Sequence, residues 1–499
     1  MRFNKYNFAF WSFLIIINLL IGIYYILKTP SFVCDEFFVF SLIKNILNGD
    51  PSNNVLSVVS PALRPLYILI LIFDYIILNC NPILIKSFSL LIHIITLIVF
   101  YILISTYFET LKRKVPTFIV NFIIFIFSIN VISFYWITWI SDQNELLMFI
   151  LYLLSTLMFL LYFKHDKIIY LYLFLLFFVF SFLTKQTALN LPFITLFFSI
   201  YFKKEFKISK VKKSIYFSLT GIVLSMVFII INMVVIENKY PLIFLLKKPL
   251  SLIGAVNLLL FQSLGNVLYS YFVNHLALAF TILVIFSSFV ILLIIMSRFK
   301  RIIIIKSSFL LLFILLVFFP RGMGENQMIH SFSIQYFWIL LLIIITYQFF
   351  GKQRKYFLIF LSFHFLLSIH NIFITFNEYI TNSRNIESIN SELIKATTAS
   401  NKYLIICAFD SFNLPYHVYY LRNGCFGQDS IKVSPVNIIK NDNSQTKNTD
   451  SNSIECSLDS DTITVKVNSG ELALQKIDFF SYQKSFTVIV DKDLSLIHI

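Results

Sequence analysis

Long apolar runs, each close to the length that crosses a bilayer, alternate with short basic clusters along the chain as far as about residue 377. A helix needs about 20 apolar residues to cross the hydrocarbon core. That rule predicts eleven spans, roughly 8–27, 87–107, 116–135, 144–163, 168–183, 188–202, 214–236, 276–296, 302–320, 331–350 and 356–376. Two further apolar stretches, 62–79 and 252–273, read as helices lying at the outer surface. Arg64 and Asp74 are expected as the polar points of the first; making it a span would reverse the sidedness of everything after it.

Cytoplasmic loops collect Lys and Arg. With the N-terminus inside, after Arg2 and Lys5, the alternation puts "LKRK" (111–114), "KHDK" (164–167), "KKEFKISKVKK" (203–213), "RFKR" (298–301) and "GKQRK" (351–355) in the cytoplasm. Lys247 and Lys248 are the exception. The first apolar segment lacks a small-residue cleavage site and is expected to be retained. The chain therefore reads as an all-α polytopic membrane protein over 1–377, with its C-terminus outside.

From about 378 the pattern changes to Asn, Ser, Asp and Thr. "KYLIICAF" (402–409) and "TITVKV" (462–467) predict strands, "ESINSELIKATTA" (387–399) a helix, and "NDNSQTKNTDSNS" (441–453) a loop. Residues 378–499 are expected to form a small α/β domain facing outward.

Composition strengthens the membrane reading: 58% of the 499 residues are hydrophobic, 18% aromatic and only 13% charged. The net charge of +15 does not imply a nucleic-acid partner, because the basic residues sit between apolar runs. Cys34, Cys80, Cys407, Cys425 and Cys456 all fall in segments expected outside, where disulfides persist. One bridge among the last three, with the others free, is the expectation. No metal-binding spacing such as CxxC occurs. His93, His364 and His370, on apolar spans, read as packing residues.

Charges are scarce enough that their positions carry information. "SFVCDEFFVFSLIKNILNGDPSNNV" (31–55) places Asp35 beside Glu36 just after the first span. An ionised acid at mid-membrane costs about 2.5–3.5 kcal/mol on insertion scales, so this pair belongs at the aqueous side. Asp35 also fits a plain helix start for "EFFVFSLIKNIL". Arg64, Asp142, Lys185 and Arg321 fall at other outer span ends. Each has a plainer reading too: Arg64 as a snorkelling cation, Lys185 as the turn of a short hairpin, Arg321 as a residue after Pro320, Asp142 as a structural partner of one of these cations.

Taken together, "CDEFFVFSLIKNILNGD", "RPLYILI", "FYWITWISDQNELLMFILYL" (134–153), "FSFLTKQTALNLPFI" (180–194) and "RGMGENQMIHSFSIQYFWI" (321–339) resemble, in order and sidedness, the external segments of GT-C glycosyltransferases that use polyprenyl-phosphate sugars. Protein O-mannosyltransferases and the lipid A aminoarabinose transferase belong to that group. The resemblance covers about 10–350, with Arg64 where many relatives have Lys and Gln186 in place of a common Gly. In size, external tail and composition the chain looks most like bacterial O-antigen-modifying, serotype-converting glucosyltransferases.

The resemblance implies a bacterial inner-membrane enzyme with a periplasmic C-terminal domain. It would move a hexose from a polyprenyl-phosphate donor to a surface glycan or lipid-linked acceptor. Asp35 would act as general base and Glu36 as an orienting acid. Arg64, Lys185 and Arg321 would neutralise the departing phosphate, and Asp142 would organise the acceptor or its loop. Some relatives use a divalent cation; the cationic set can neutralise one phosphate, so action without a metal or other cofactor is favoured. An O-antigen polymerase or a lipid-linked glycan transporter is the alternative. The former is expected to carry a large external loop between late spans, the latter internal repeats or broken spans near the midplane.

Overall fold

The computed structural model describes residues 5–29, 64–111, 116–129, 143–201, 203 and 205–235, isolated helical positions such as Ile43, Ile137 and Ile369, and the backbone of seven strands between 403 and 498. Asp35, Glu36, Asp142 and Arg321, the spans expected after 236, the surface stretch 252–273 and the helix at 387–399 lie outside the described residues.

The described helices are α1 (Lys5–Lys28), α2 (Pro65–Ile76), α3 (Pro82–Thr110), α4 (Thr117–Ser128), α5 (Gln143–His165), α6 (Ile169–Thr184), α7 (Leu191–Tyr201) and α8 (Ile208–Val235), with a 3-10 turn at Gln186–Asn190 before α7. Four of them, α1, α3, α5 and α8, are long and apolar enough to cross a membrane, making this a multi-pass membrane protein. The other expected spans are realised as shorter helices. The stretch 116–135 gives the 12 residues of α4, 168–183 the 16 of α6, and 188–202 the 3-10 turn followed by the 11 residues of α7. At 1.5 Å per residue α4 and α7 are each under about 20 Å long, short of the hydrocarbon core. The break before α7 has a local cause: Lys185 is extended (φ −155°, ψ 134°), and Pro192 fits only the first turn of a new helix.

Side-chain contacts fix the helix directions. α1 runs antiparallel to α3: Trp11 meets Tyr101 edge-on at 5.1 Å, His93 Nε2 lies 3.4 Å from Asn18 Oδ1, and Lys86 Nζ donates to the Thr29 carbonyl at 2.7 Å. α5 runs parallel to α3. Gln143 Nε2 donates to Ser89 Oγ at 2.9 Å near one end, and Lys164 reaches Glu109 at 2.7 Å near the other. α6 returns along α5 through Ser155 Oγ to the Phe174 carbonyl and Ser181 Oγ to the Met148 carbonyl. α7 and α8 meet through small and hydroxyl residues: Thr195 with Ser218 and Ser199 with Ser214, each at 2.9 Å, and Gly221 against Pro192, where a Cβ would come within 2.9 Å of the ring.

These directions sort the bundle into two ends. One carries the start of α1, the end of α3 leading into "LKRK", the α5–α6 turn with Lys164 and Lys167, and the basic residues 203–213 before and within the start of α8. The other carries Thr29, the α2–α3 turn, Gln143 to Glu145 and Lys185 to Asn190. Between them a continuous core links Phe100 with Phe127, Phe127 with Phe149, and Phe159 with Phe174 and Phe198. Apolar residues also face outward: Phe13, Ile16 and Leu20 on α1, and Leu219, Val223 and Ile230 on α8. A surface apolar where water would demand polarity is the signature of a lipid-facing bundle.

The α2–α3 turn is tightly built. Asn79 and Cys80 both adopt left-handed backbone (φ 51°), the Cys80 amide donates to the Asp74 carbonyl, and Asn81 Oδ1 accepts from the amides of Ile83 and Leu84 to cap α3. Cys80 is buried and disulfide-bonded, its partner lying outside the described side chains. The expectation that Cys80 is free is therefore corrected.

In the C-terminal region β1 (Tyr403–Ala408) and β4 (Thr462–Val467) form where the sequence predicts strands, joined by β2 (Lys432–Asn437), β3 (Ile454–Asp459), β5 (Gly470–Gln475), β6 (Ser485–Val490) and β7 (Leu496–His498). One sheet has the order β2-β1-β6-β7, with β1 and β2 parallel; the other is the meander β3-β4-β5. Pro435 sits in β2, an edge strand, where a missing amide donor is tolerated.

Candidate functional site

The end of the bundle remote from the basic clusters holds buried polar side chains. Glu145, in the first turn of α5, is 1% exposed. Its carboxylate lies 2.7 Å from Nζ of Lys185, itself 6% exposed in the chain break after α6. α6 runs antiparallel to α5, so its C-terminal end meets the α5 N-terminal turn, and the extended backbone at 185 brings the lysine to the acid.

Around this pair lie neutral groups. Gln143 and Asn144 are buried in the same turn. Among the described residues, Gln143 Oε1 and Asn144 Oδ1 have no hydrogen-bond partner. One turn and more deeper, Tyr152 donates to Asn190 Oδ1 at 3.3 Å. On α3, Lys86 is fully buried, its ammonium on the carbonyl and hydroxyl of Thr29. A buried ion pair bordered by buried amides can bind an anion at the lysine and hydroxyl groups at the amides.

Arg64 stands at the N-cap of α2, with its carbonyl accepting from the Ile68 amide. α2 touches α3 near the turn through Phe73 and Phe88 and lays its side on α6, the helix that leads into Lys185. The structure thus joins Lys185 to Glu145, a residue the sequence reading passed over. Its signal was the one acid of a 23-residue helix, in its first turn and 40 positions before an isolated lysine. Lys86, the lone cation in the described part of α3, was missed for the same reason.

Asp74 corrects a further expectation. It is not an exposed polar point of a surface helix: α2 buries the stripe Tyr67, Leu71 and Asp74 and exposes Leu69, Phe73 and Ile76. Among the described residues neither carboxylate oxygen of Asp74 has a hydrogen-bond partner, and burial pushes its carboxyl up to about 8. The native state therefore holds a proton that the unfolded chain releases above about pH 4. The contribution of Asp74 to stability is expected to be fully present below about pH 4 and to fall, by up to about 1.4 kcal/mol per pH unit, until about pH 8. Thermal unfolding of the purified protein in detergent checks this: Asp74→Asn should flatten the slope and raise the melting temperature at the alkaline end.

Among the described residues, no three His, Cys, Asp or Glu side chains gather that could hold a metal ion. No protein-family model matches this chain, and no curated protein is matched by its sequence.

Proposed function

We propose that the protein is a membrane glycosyltransferase of the GT-C kind. It moves a hexose such as glucose from a polyprenyl-phosphate donor to an extracytoplasmic acceptor such as O-antigen. The observation that carries this reading is the buried Lys185–Glu145 pair at the end of the bundle away from the basic clusters, with the Gln143 and Asn144 oxygens of the same helical turn buried and lacking a hydrogen-bond partner among the described residues. A cation and hydroxyl acceptors at one place suit a sugar on a lipid phosphate, whose apolar tail would lie in the bilayer against the helices.

The disulfide at Cys80 supports an extracytoplasmic assignment for that end, since such bonds persist in oxidising compartments. Asp35 and Glu36 follow Thr29, which Lys86 holds at the same end. In this mechanism Asp35 takes the acceptor's proton as its oxygen attacks the anomeric carbon. Glu36 and Asp142 orient the acceptor, and Lys185, Arg64 and Arg321 stabilise the polyprenyl phosphate as it departs with the bonding electron pair. A cytoplasmic N-terminus and a periplasmic C-terminal domain complete the proposal.

The test uses the full chain in proteoliposomes with undecaprenyl-phosphate hexoses and a surface-glycan acceptor. Transfer of labelled hexose is expected, and no transfer from any hexose donor to glycan or lipid-linked acceptors would overturn the proposal. Sidedness has its own check: a reporter fused at Lys112 should read as cytoplasmic and one after Thr375 as extracytoplasmic. A reversed signal at Lys112 would place Lys185 on the wrong side for a periplasmic reaction, and one after Thr375 alone would mean that 252–273 spans the membrane.

A further inference from the structure

Lys185 is already neutralised. Its ammonium lies 2.7 Å from the Glu145 carboxylate, and both side chains are more than nine-tenths buried. A phosphate held by Lys185 would set a second anion against a buried cation that Glu145 already neutralises, and the two anions would repel each other. We infer that Glu145 is a resident counter-anion which an incoming phosphate displaces, so that binding here is an ion exchange. The inference rests on the phosphate-binding role proposed above for Lys185, and deepens it.

The geometry favours exchange over a permanent bridge. Glu145 is the third residue of α5, and helical side chains lean toward the helix N-terminus. No helical turn of α5 stands between it and the N-terminal end of that helix. Lys185 sits in extended backbone between α6 and the 3-10 turn, its amide donating to the Ser181 carbonyl and its carbonyl accepting from the Ala188 amide, and so keeps its place as the acid leaves. Charge balances without a proton: one carboxylate moves to the aqueous side as one phosphate oxygen takes over the ammonium. A second, independent observation points to a hydroxyl-bearing ligand at this end of α5. Gln143 Oε1 and Asn144 Oδ1, acceptors in the same helical turn as Glu145, are buried with no hydrogen-bond partner among the described residues. Buried polar atoms of this kind are costly unless something completes them.

Exchange lowers the apparent affinity by the fraction of molecules in which Lys185 is released. The experiment uses the full chain in nanodiscs of neutral lipid, with undecaprenyl phosphate in one arm and inorganic phosphate in the other. Carbodiimide labelling of Glu145, mapped by mass spectrometry in the unaltered protein, is expected to rise as undecaprenyl phosphate binds. Glu145→Gln, which keeps an acceptor oxygen but not the charge, should bind about tenfold more tightly, and Lys185→Gln about tenfold or more weakly. The same pattern with inorganic phosphate would make the soluble anion the ligand and keep the exchange. Labelling unchanged with phosphate bound, Glu145→Gln binding no more tightly, or no binding in either arm would overturn it. Failures can be told apart: exchange without sugar transfer sinks the glycosyltransferase reading only, and transfer with an unmoved Glu145 sinks only this inference.

Discussion

Asp35→Asn is expected to lower sugar transfer by about 10²–10⁴-fold, the contribution of a positioned general base, while leaving the amount of protein in the membrane unchanged. Asparagine keeps the shape of the side chain and caps a helix about as well as aspartate, but it cannot take the acceptor's proton. Glu36→Gln should be milder, because an amide preserves part of an orienting hydrogen-bond set. The plain helix-start reading of Asp35 predicts the opposite pattern, near-normal transfer for Asp35→Asn and lost abundance for Asp35→Ala. Measuring membrane abundance beside hexose transfer for the three variants decides between them, and full activity in a well-inserted Asp35→Asn would remove Asp35 from the chemistry.

Lys185→Met is the second substitution with a large expected effect, and here the effect is on stability. It leaves the Glu145 carboxylate buried without its ammonium, a loss of about 3–5 kcal/mol for pairs of this kind. Combining it with Glu145→Gln removes the orphaned charge, and replacing a buried pair by neutral residues is often close to neutral. Denaturant unfolding in detergent should therefore show the double variant recovering most of what the single one loses. Losses that simply add would mean that the two groups are not energetically coupled. The double variant should still fail to transfer sugar, which separates folding from phosphate stabilisation.

The long apolar segments were legible because hydrophobic length is a one-dimensional property: α1, α3, α5 and α8 appear where runs of about 20 residues predict them. The shortness of α4 and α7 was not, since 116–135 and 188–202 hold no charged residue and their ends are set by local backbone, such as the break at Lys185. Strands β1 and β4 were readable from β-branched alternation. At the site, Lys185 and Arg64 stood out as isolated cations and Asp74 as a polar point of its helix, but Glu145 did not. Sequence shows how rare a charge is; only packing shows that Glu145 reaches across to α6 and that Asp74 turns inward with Tyr67 and Leu71. The bond at Cys80 depends likewise on a partner distant in sequence.

The α7–α8 seam bears on how the chain assembles once it enters the bilayer. Apolar burial gives helices little reason to associate among lipid tails, whereas close backbones and shared hydroxyls do. The contacts Thr195–Ser218, Ser199–Ser214 and Gly221–Pro192 join neighbours in sequence, so no long loop has to close before they form. α7, at 11 residues, is too short to rest across the membrane by itself. It leans on the earlier α3 and α5 through Phe198 and on the later α8 through the hydroxyl seam, so the preceding helices prepare a place for it that its successor completes.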